Sequence, residues 1–175
     1  LLTRARHIEA QVIGDGTGDA AHLGERECSL QRRRQKLVEI APSPSITPAQ
    51  RAEILGHALA MARAARYRGL GTFEFLVDET DGAAFFIEAN PRLQVEHTVT
   101  EAVTGVDLVE AQIRVTAGGA RLADLGLAEA PPAPVGYAVQ ARVNLEVMQP
   151  DGTARPASGR LTAYEPPSGP GVRVD

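Results

Sequence analysis

The chain has 175 residues, with 18 Lys and Arg against 22 Asp and Glu and a formal net charge of −4, a length that suits one ordinary domain or one domain and part of a second. Its 43% hydrophobic and 23% charged residues exclude wholesale disorder, and the charge balance gives no reason to expect a nucleic-acid partner. The longest stretch free of acidic and basic residues, Ala130 to Ala141, holds three prolines and falls short of the about 18 apolar residues a membrane span needs.

Along the chain, Arg6 to Asp15 alternates, with His7, Glu9 and Gln11 on one side and Ile8, Ala10 and Val12 on the other, as in a half-buried strand. Gly14 to Gly18 is turn chemistry, and Ala20 to Glu27 can pair back as a hairpin. Cys28 is the only cysteine, so no internal disulfide can form, and a reducing, cytoplasmic compartment is expected. Arg32, Arg33, Arg34 and Lys36 make a basic run, which by itself reads as solvated charge. Thr47-Pro48 opens a helix whose apolar stripe, Ile54, Leu55, Leu59 and Ala62, continues to about Tyr67, with Gly69 and Gly71 expected to end it. Thr72–Val77 and Ala84–Asn90 are strand-like, and Asp78 to Gly82 between them is turn-forming. A helix from about Thr98 stops at Gly105, and Asp107 caps another through Leu108, Ala111, Gln112 and Val115 to Gly118-Gly119. Glu129 to Pro134 reads as a linker, and eight of the twelve prolines lie from Pro131 onward among short strand-like pieces, one of which alternates Gln140, Arg142 and Asn144 with apolar residues. No signal-peptide pattern opens the chain, and it begins on Leu1 and stops at Asp175 in mid-pattern, so it reads as a piece of something longer.

The chemistry gathers between Gly71 and Glu101. A hairpin that sets Asp78 opposite Ala84 places Glu74 opposite Glu88, with Asn90 on the same face opposite Thr72. Two facing carboxylates repel, so a positive group is expected between them, and hard oxygen donors suit Mg²⁺. A solvated hairpin face that carries glutamates by chance is the alternative. Asn90-Pro91-Arg92-Leu93-Gln94-Val95-Glu96-His97 adds two amides, a guanidinium, a carboxylate and an imidazole, a set that either forms ordinary ion pairs or holds and deprotonates a small oxyanion.

Phe73-Glu74-Phe75 followed by Phe86-Ile87-Glu88-Ala89-Asn90-Pro91-Arg92-Leu93-Gln94-Val95-Glu96-His97 resembles the signature of biotin carboxylases, which are ATP-grasp enzymes. Arg6-His7-Ile8-Glu9-Ala10-Gln11-Val12 and Glu27-Cys28-Ser29-Leu30-Gln31-Arg32-Arg33-Arg34-Gln35-Lys36 resemble the two upstream motifs of that family, and Thr104-Gly105-Val106-Asp107-Leu108 and Gln140-Ala141-Arg142-Val143-Asn144 two downstream ones. The resemblance covers nearly the whole chain, in order. It implies an α+β fold: the carboxyl-terminal lobe of an ATP-grasp domain with an antiparallel sheet and helices over residues 1–134, truncated at its start, and the truncated beginning of the carboxylase's C-terminal domain over 135–175.

The implied reaction phosphorylates bicarbonate with ATP to carboxyphosphate and carboxylates a biotin carried on another domain. The resemblance makes Glu74, Glu88 and Asn90 the ligands of Mg²⁺ or Mn²⁺, with Glu74, Glu88, His7, Gln31, Leu76 and Arg34 at the nucleotide. Relatives often carry His at position 34, so altered nucleotide contacts are expected there. Arg92 and the backbone of Val95 would orient bicarbonate, Lys36 would bind bicarbonate and phosphate, Glu96 would be the base, and Arg142 would stabilise the enolate-like oxygen of biotin. Cys28 has no evident base partner and reads as a buried, unreactive thiol. Implied partners are the biotin carboxyl carrier and a carboxyltransferase, in a homo-oligomeric acyl-CoA or pyruvate carboxylase. Another ATP-grasp ligase would share the acidic hairpin but not Arg92 to Glu96 with Arg142. A non-catalytic nucleotide-binding piece is the third reading, because no glycine-rich phosphate loop is present; on any of these readings the 175 residues alone are expected to be inactive.

Overall fold

The computed structural model describes residues 2–128 and 132–175 and divides into two compact units, 1–142 and 143–175. The first carries β1 (Ala5–Asp15), β2 (Ala20–Arg32), β3 (Gln35–Ala41), α1 (Pro48–Ala64), β4 (Arg68–Asp78), β5 (Ala84–Asn90), α2 (His97–Thr104), α3 (Leu108–Thr116), a 3-10 turn (Leu122–Leu125) and β6 (Ala138–Ala141). Its six strands form one antiparallel sheet in the order β5-β4-β1-β2-β3-β6, so the expected α+β architecture is what forms. Of the linker residues read from the sequence, Glu129, Ala130 and Pro131 lie outside the described residues.

Alternation along β1 sorts the two faces. Ile8, Ala10 and Val12 join Phe73, Phe75 and Val77 of β4 against Ile54, Leu55, Ala58 and Ala62 of α1. Each large aliphatic side chain so buried contributes about 1.5–3 kcal/mol. Ile13, Leu23 and Leu70 form a second cluster with Leu108, Ala111 and Val115 of α3, and Val99 and Val103 of α2 pack on Ala41 and Ala138. The other face of β1 is covered as well: Glu9 and Gln11 are fully buried, so this strand is not half-exposed as its pattern implies.

Thr47 caps α1 as expected, accepting from the Gln50 N–H at 3.2 Å while the Gln50 side chain accepts from the Thr47 N–H at 2.9 Å. The helix stops earlier than its stripe suggests. Ala65 caps it and Arg66 turns left-handed at φ 46°, so Gly69 and Gly71 lie inside β4 and end nothing. Tyr67 explains Gly71, where a Cβ would stand 2.6 Å from the Tyr67 hydroxyl oxygen. That hydroxyl donates to the Leu70 carbonyl at 2.7 Å.

The second unit holds a short antiparallel hairpin, β7 (Glu146–Met148) with β8 (Ala154–Pro156). Its turn is closed by Asp151, which accepts from the Thr153 N–H at 2.9 Å, and by Gly152 at φ +78°. Among the described residues no helix is long and apolar enough to cross a membrane.

Thr47→Ala is expected to lower unfolding free energy by about 1 kcal/mol, with Thr47→Ser close to the unsubstituted chain. Gly71→Ala is expected to cost more, because Tyr67 must give way. Chemical denaturation of the three variants checks both statements.

Candidate active site

The polar face of the sheet carries the site, and two irregularities aim its side chains. In the β4–β5 hairpin, Val77 pairs with Ala84, Leu76 with Phe85 and Phe75 with Phe86, and then Glu74 pairs with Glu88 and Thr72 with Asn90. The expected pairing of Asp78 with Ala84 is therefore wrong by one residue. Asp78 is used by the turn instead: its N–H donates to the Ala83 carbonyl, its carbonyl accepts from the Gly82 N–H, and its carboxylate accepts from the Thr80 N–H. Ile87 is the extra residue on β5, and this bulge restores the register so that Glu74 and Glu88 do face each other. A comparable offset occurs in β3. Gln31 pairs with Lys36 but Leu30 with Val38, so Leu37 is extra and the alternation resets, bringing Lys36 and Glu39 to the same side of the sheet.

Glu74 is the meeting point. One of its oxygens receives Lys36 Nζ at 3.3 Å, Asn90 Nδ2 at 2.9 Å and Gln94 Nε2 at 3.1 Å; the other meets His7 Nε2 at 2.6 Å. The Gln31 amide donates to the Cys28 carbonyl at 2.8 Å and to His7 Nδ1 at 2.7 Å, which leaves His7 Nε2 as the nitrogen that donates to Glu74. Burial alone would raise the Glu74 carboxyl, but the His7 hydrogen bond and the Lys36 charge outweigh it and hold it down to about 2.

Lys36 Nζ also donates to Glu9 at 2.5 Å and to Glu96 at 2.7 Å. Burial works against its charge, yet these carboxylates push the ammonium above its ordinary value. Glu96 stands at the N-cap of α2, where the helix dipole favours an anion. Burial opposes its charge too, but the Lys36 hydrogen bond and charge keep it below the usual carboxylate range. Its second oxygen accepts from Arg142 at 2.9 Å, and Arg142 also donates through Nε to Glu39 at 2.8 Å. Arg142 lies one residue past β6 rather than within a strand, tied by its N–H to the bulged Leu37 carbonyl at 2.9 Å. Under Glu9 lies Arg26, fully buried, which donates to Glu9 at 2.5 Å, Gln11 at 2.7 Å, Thr100 at 2.9 Å and Thr72 at 3.3 Å.

The structure thus brings together His7, Gln31, Lys36, Glu74, Asn90, Glu96 and Arg142. Leu76 lies beside His7 in the β1–β4 ladder. Glu88 is exposed and tied to the cluster through Asn90 Nδ2 at 3.1 Å. Arg92 and Val95 are exposed, and the Arg92 guanidinium donates to the Leu93 carbonyl at 3.3 Å instead of joining Glu96. Arg34 stands exposed at the tip of the β2–β3 hairpin, where it and Arg33 take positive φ of 65° and 53°. Cys28 is buried, and burial pushes its thiol up, as suits an inert role. Sequence reading missed Glu9, Arg26 and Glu39 as members of the site, and it counted Gln94 only as one of the amides between Asn90 and His97. Glu9 shares the alternation of His7, which marked it; Arg26 and Glu39 show no pattern at all.

The donor set fits a divalent cation. Asn90 Nδ2 reaches one oxygen of each of Glu74 and Glu88, so one positive group between them can be shared by both. Five carboxylates (Glu9, Glu39, Glu74, Glu88, Glu96) stand against three cations (Arg26, Lys36, Arg142), and one divalent ion balances the difference.

A family model described as carbamoyl-phosphate synthase L chain, ATP binding domain, matches residues 1–125. The chain is 51% identical over 174 residues to pyruvate carboxylase 1 of Caenorhabditis elegans, covering 99% of this chain and 14% of that protein. It is 48% identical over 177 residues to the biotin carboxylase of Allochromatium vinosum, covering 99% of this chain and 37% of that protein. The biotin carboxylase domain of a single-chain bacterial carboxylase superposes with a TM-score of 0.86 at 52% identity, over 99% of this chain and 38% of that one. The biotin carboxylase domain of Hydrogenobacter thermophilus 2-oxoglutarate carboxylase, solved with MgADP, ADP and bicarbonate, gives 0.75 at 47% identity, over 83% and 31%. The chain therefore spans well under half the length of these relatives. With these matches the resemblance seen in the motifs holds, and the chain belongs to the family of the carbamoyl-phosphate synthase L chain ATP binding domain, on the side of its biotin carboxylases.

Proposed function

We propose that this chain supplies part of the site in which ATP and bicarbonate form carboxyphosphate and the carboxyl group passes to biotin. The observation that carries this is Glu96, held ionised between Lys36 and Arg142 beside the Glu74–Glu88 pair. Another ATP-grasp ligase needs the acidic pair but has no use for this base flanked by two cations.

Glu74, Glu88 and Asn90 would hold Mg²⁺ or Mn²⁺, which neutralises the phosphate oxygens of ATP. His7 and Gln31 fix the orientation of Glu74, and Leu76 offers an apolar contact to the nucleotide. Lys36 and Arg92, with the Val95 N–H, would bind bicarbonate, and Arg92 leaves the Leu93 carbonyl to do so. Glu96 takes the proton of bicarbonate while a bicarbonate oxygen attacks the γ-phosphorus and ADP departs. Lys36 remains charged afterwards because Glu9 and Glu74 still surround it. Arg142 then faces the oxygen of the biotin ureido group as negative charge develops there. Arg34 would reach the nucleotide from the hairpin tip.

In the same reading residues 1–134 are ATP-grasp and 135–175 open the following domain, with β6 added to the ATP-grasp sheet from beyond that boundary. The partners are a biotin carboxyl carrier and a carboxyltransferase, in a cytoplasmic homo-oligomer that is an acyl-CoA or pyruvate carboxylase.

In the protein that carries this segment, Glu96→Gln is expected to lower bicarbonate-dependent ATP hydrolysis with free biotin by at least about 100-fold, the contribution of a general base. Arg92→Ala is expected to raise KM for bicarbonate by on the order of tenfold, the value of one hydrogen bond to a charged group. Unchanged kinetics in both variants would remove the assignment. For the 175 residues alone, calorimetry is expected to show weak nucleotide binding that magnesium strengthens and Glu88→Gln makes indifferent to magnesium; tight, magnesium-independent binding contradicts the metal site.

A further inference from the structure

His97 opens α2, and its imidazole takes no part in the steps proposed above, although only 15% of the side chain is exposed. Two of its donors turn on one acceptor. The His97 N–H meets the Gln94 carbonyl at 3.2 Å, and Nδ1 meets the same oxygen at 2.9 Å. A carbonyl oxygen only accepts, so Nδ1 carries a proton. On the far side of the ring, Glu101 stands one turn along α2 with a carboxylate oxygen 3.9 Å from Nε2, and its other oxygen accepts from the Leu108 N–H at 2.8 Å, which ties it to the start of α3. Gln94 is also held through its side chain, with Nε2 on Glu74 at 3.1 Å.

These contacts decide how one peptide group is turned. The Gln94–Val95 peptide is planar and trans, so its C=O and N–H point to opposite sides. With the carbonyl pinned on the first residue of α2, the Val95 N–H is turned away from that helix, and among the described residues no group accepts from it. Turning the peptide over would break both hydrogen bonds at the Gln94 carbonyl. We propose that His97 is a positioning residue that fixes the Gln94–Val95 peptide and so keeps the Val95 N–H presented to bicarbonate. This rests on the function proposed above, in which that N–H is a bicarbonate donor.

The test is steady-state bicarbonate-dependent ATP hydrolysis by the protein that carries this segment, with KM measured separately for bicarbonate and for ATP. His97→Phe keeps a ring and loses the donor; it is expected to raise KM for bicarbonate by on the order of tenfold and to leave KM for ATP within about twofold. Asn places its amide nitrogen where Nδ1 stands, and Gln places it nearer Nε2. His97→Asn is therefore expected to stay within about threefold of the unsubstituted protein, and His97→Gln to behave like His97→Phe. Both KM values rising together in all three variants, as a general disturbance of α2 produces, would overturn the proposal. Recovery by Gln and not by Asn would overturn it as well, since the contact with Glu101 would then be the one that matters. Arg92→Ala separates the two readings: if it too leaves KM for bicarbonate unchanged, the proposed function falls, and if it raises KM while His97→Phe does not, only the role of His97 falls.

Discussion

A single ammonium group, that of Lys36, holds the site together. Glu9 from β1, Glu74 from β4 and Glu96 from the start of α2 all close on it, each of them almost wholly buried. Three carboxylates drawn from separate elements into one dry place would repel strongly without a charge between them. The strands and the helix can approach only because β3 delivers a cation at that point, and β3 delivers it because the β2–β3 hairpin turns just beyond Arg32.

The ion pairs do not stop at Lys36. Arg26, Glu9, Lys36, Glu96, Arg142 and Glu39 alternate in sign along one continuous path from the centre of the sheet to its edge at β6. Such a chain polarises each of its links. Its charges are held by one another and by the strands and helix that carry them, the condition under which fixed charges stabilise a changing one most effectively. Arg92 stands apart from this path, exposed on the segment after β5 with its guanidinium on the Leu93 carbonyl.

Much of this was legible in the residues themselves. The caps at Thr47 and Asp107 and the glycine after Thr104 define their helices through local chemistry, so they need no knowledge of the tertiary fold. The two strands of the acidic hairpin could be read from alternation and turn residues, but the register at the turn is one residue from the expected one, and Glu74 meets Glu88 through the bulge. What escaped were effects that cross between elements. Nothing local distinguishes Arg26 or Glu39 from any strand residue with a charge; only the approach of α2 and β6 gives them partners. The burial of Glu9 and Gln11 follows from Arg26 filling the space beside them, and Gly69 and Gly71 read as helix stops because nothing local shows that the Tyr67 ring folds over Gly71. The bulges at Leu37 and Ile87 likewise leave no mark, although the facing of Glu74 and Glu88 depends on the second.

That dependence has an evolutionary corollary. The loop from Asp78 to Ala83 can change length without disturbing the acidic pair as long as the ladder that starts at Val77 and Ala84 keeps its pairing. Loss of the single codon for Ile87 would remove the bulge and leave an unbroken ladder, with Glu88 still opposite Glu74 and Asn90 opposite Thr72; loss of a residue between Glu88 and Asn90, where no bulge absorbs it, would turn Asn90 to the other face of the sheet. Homologous chains should therefore tolerate a change of length at the tip of this hairpin or at Ile87, and hardly any between Glu88 and Asn90.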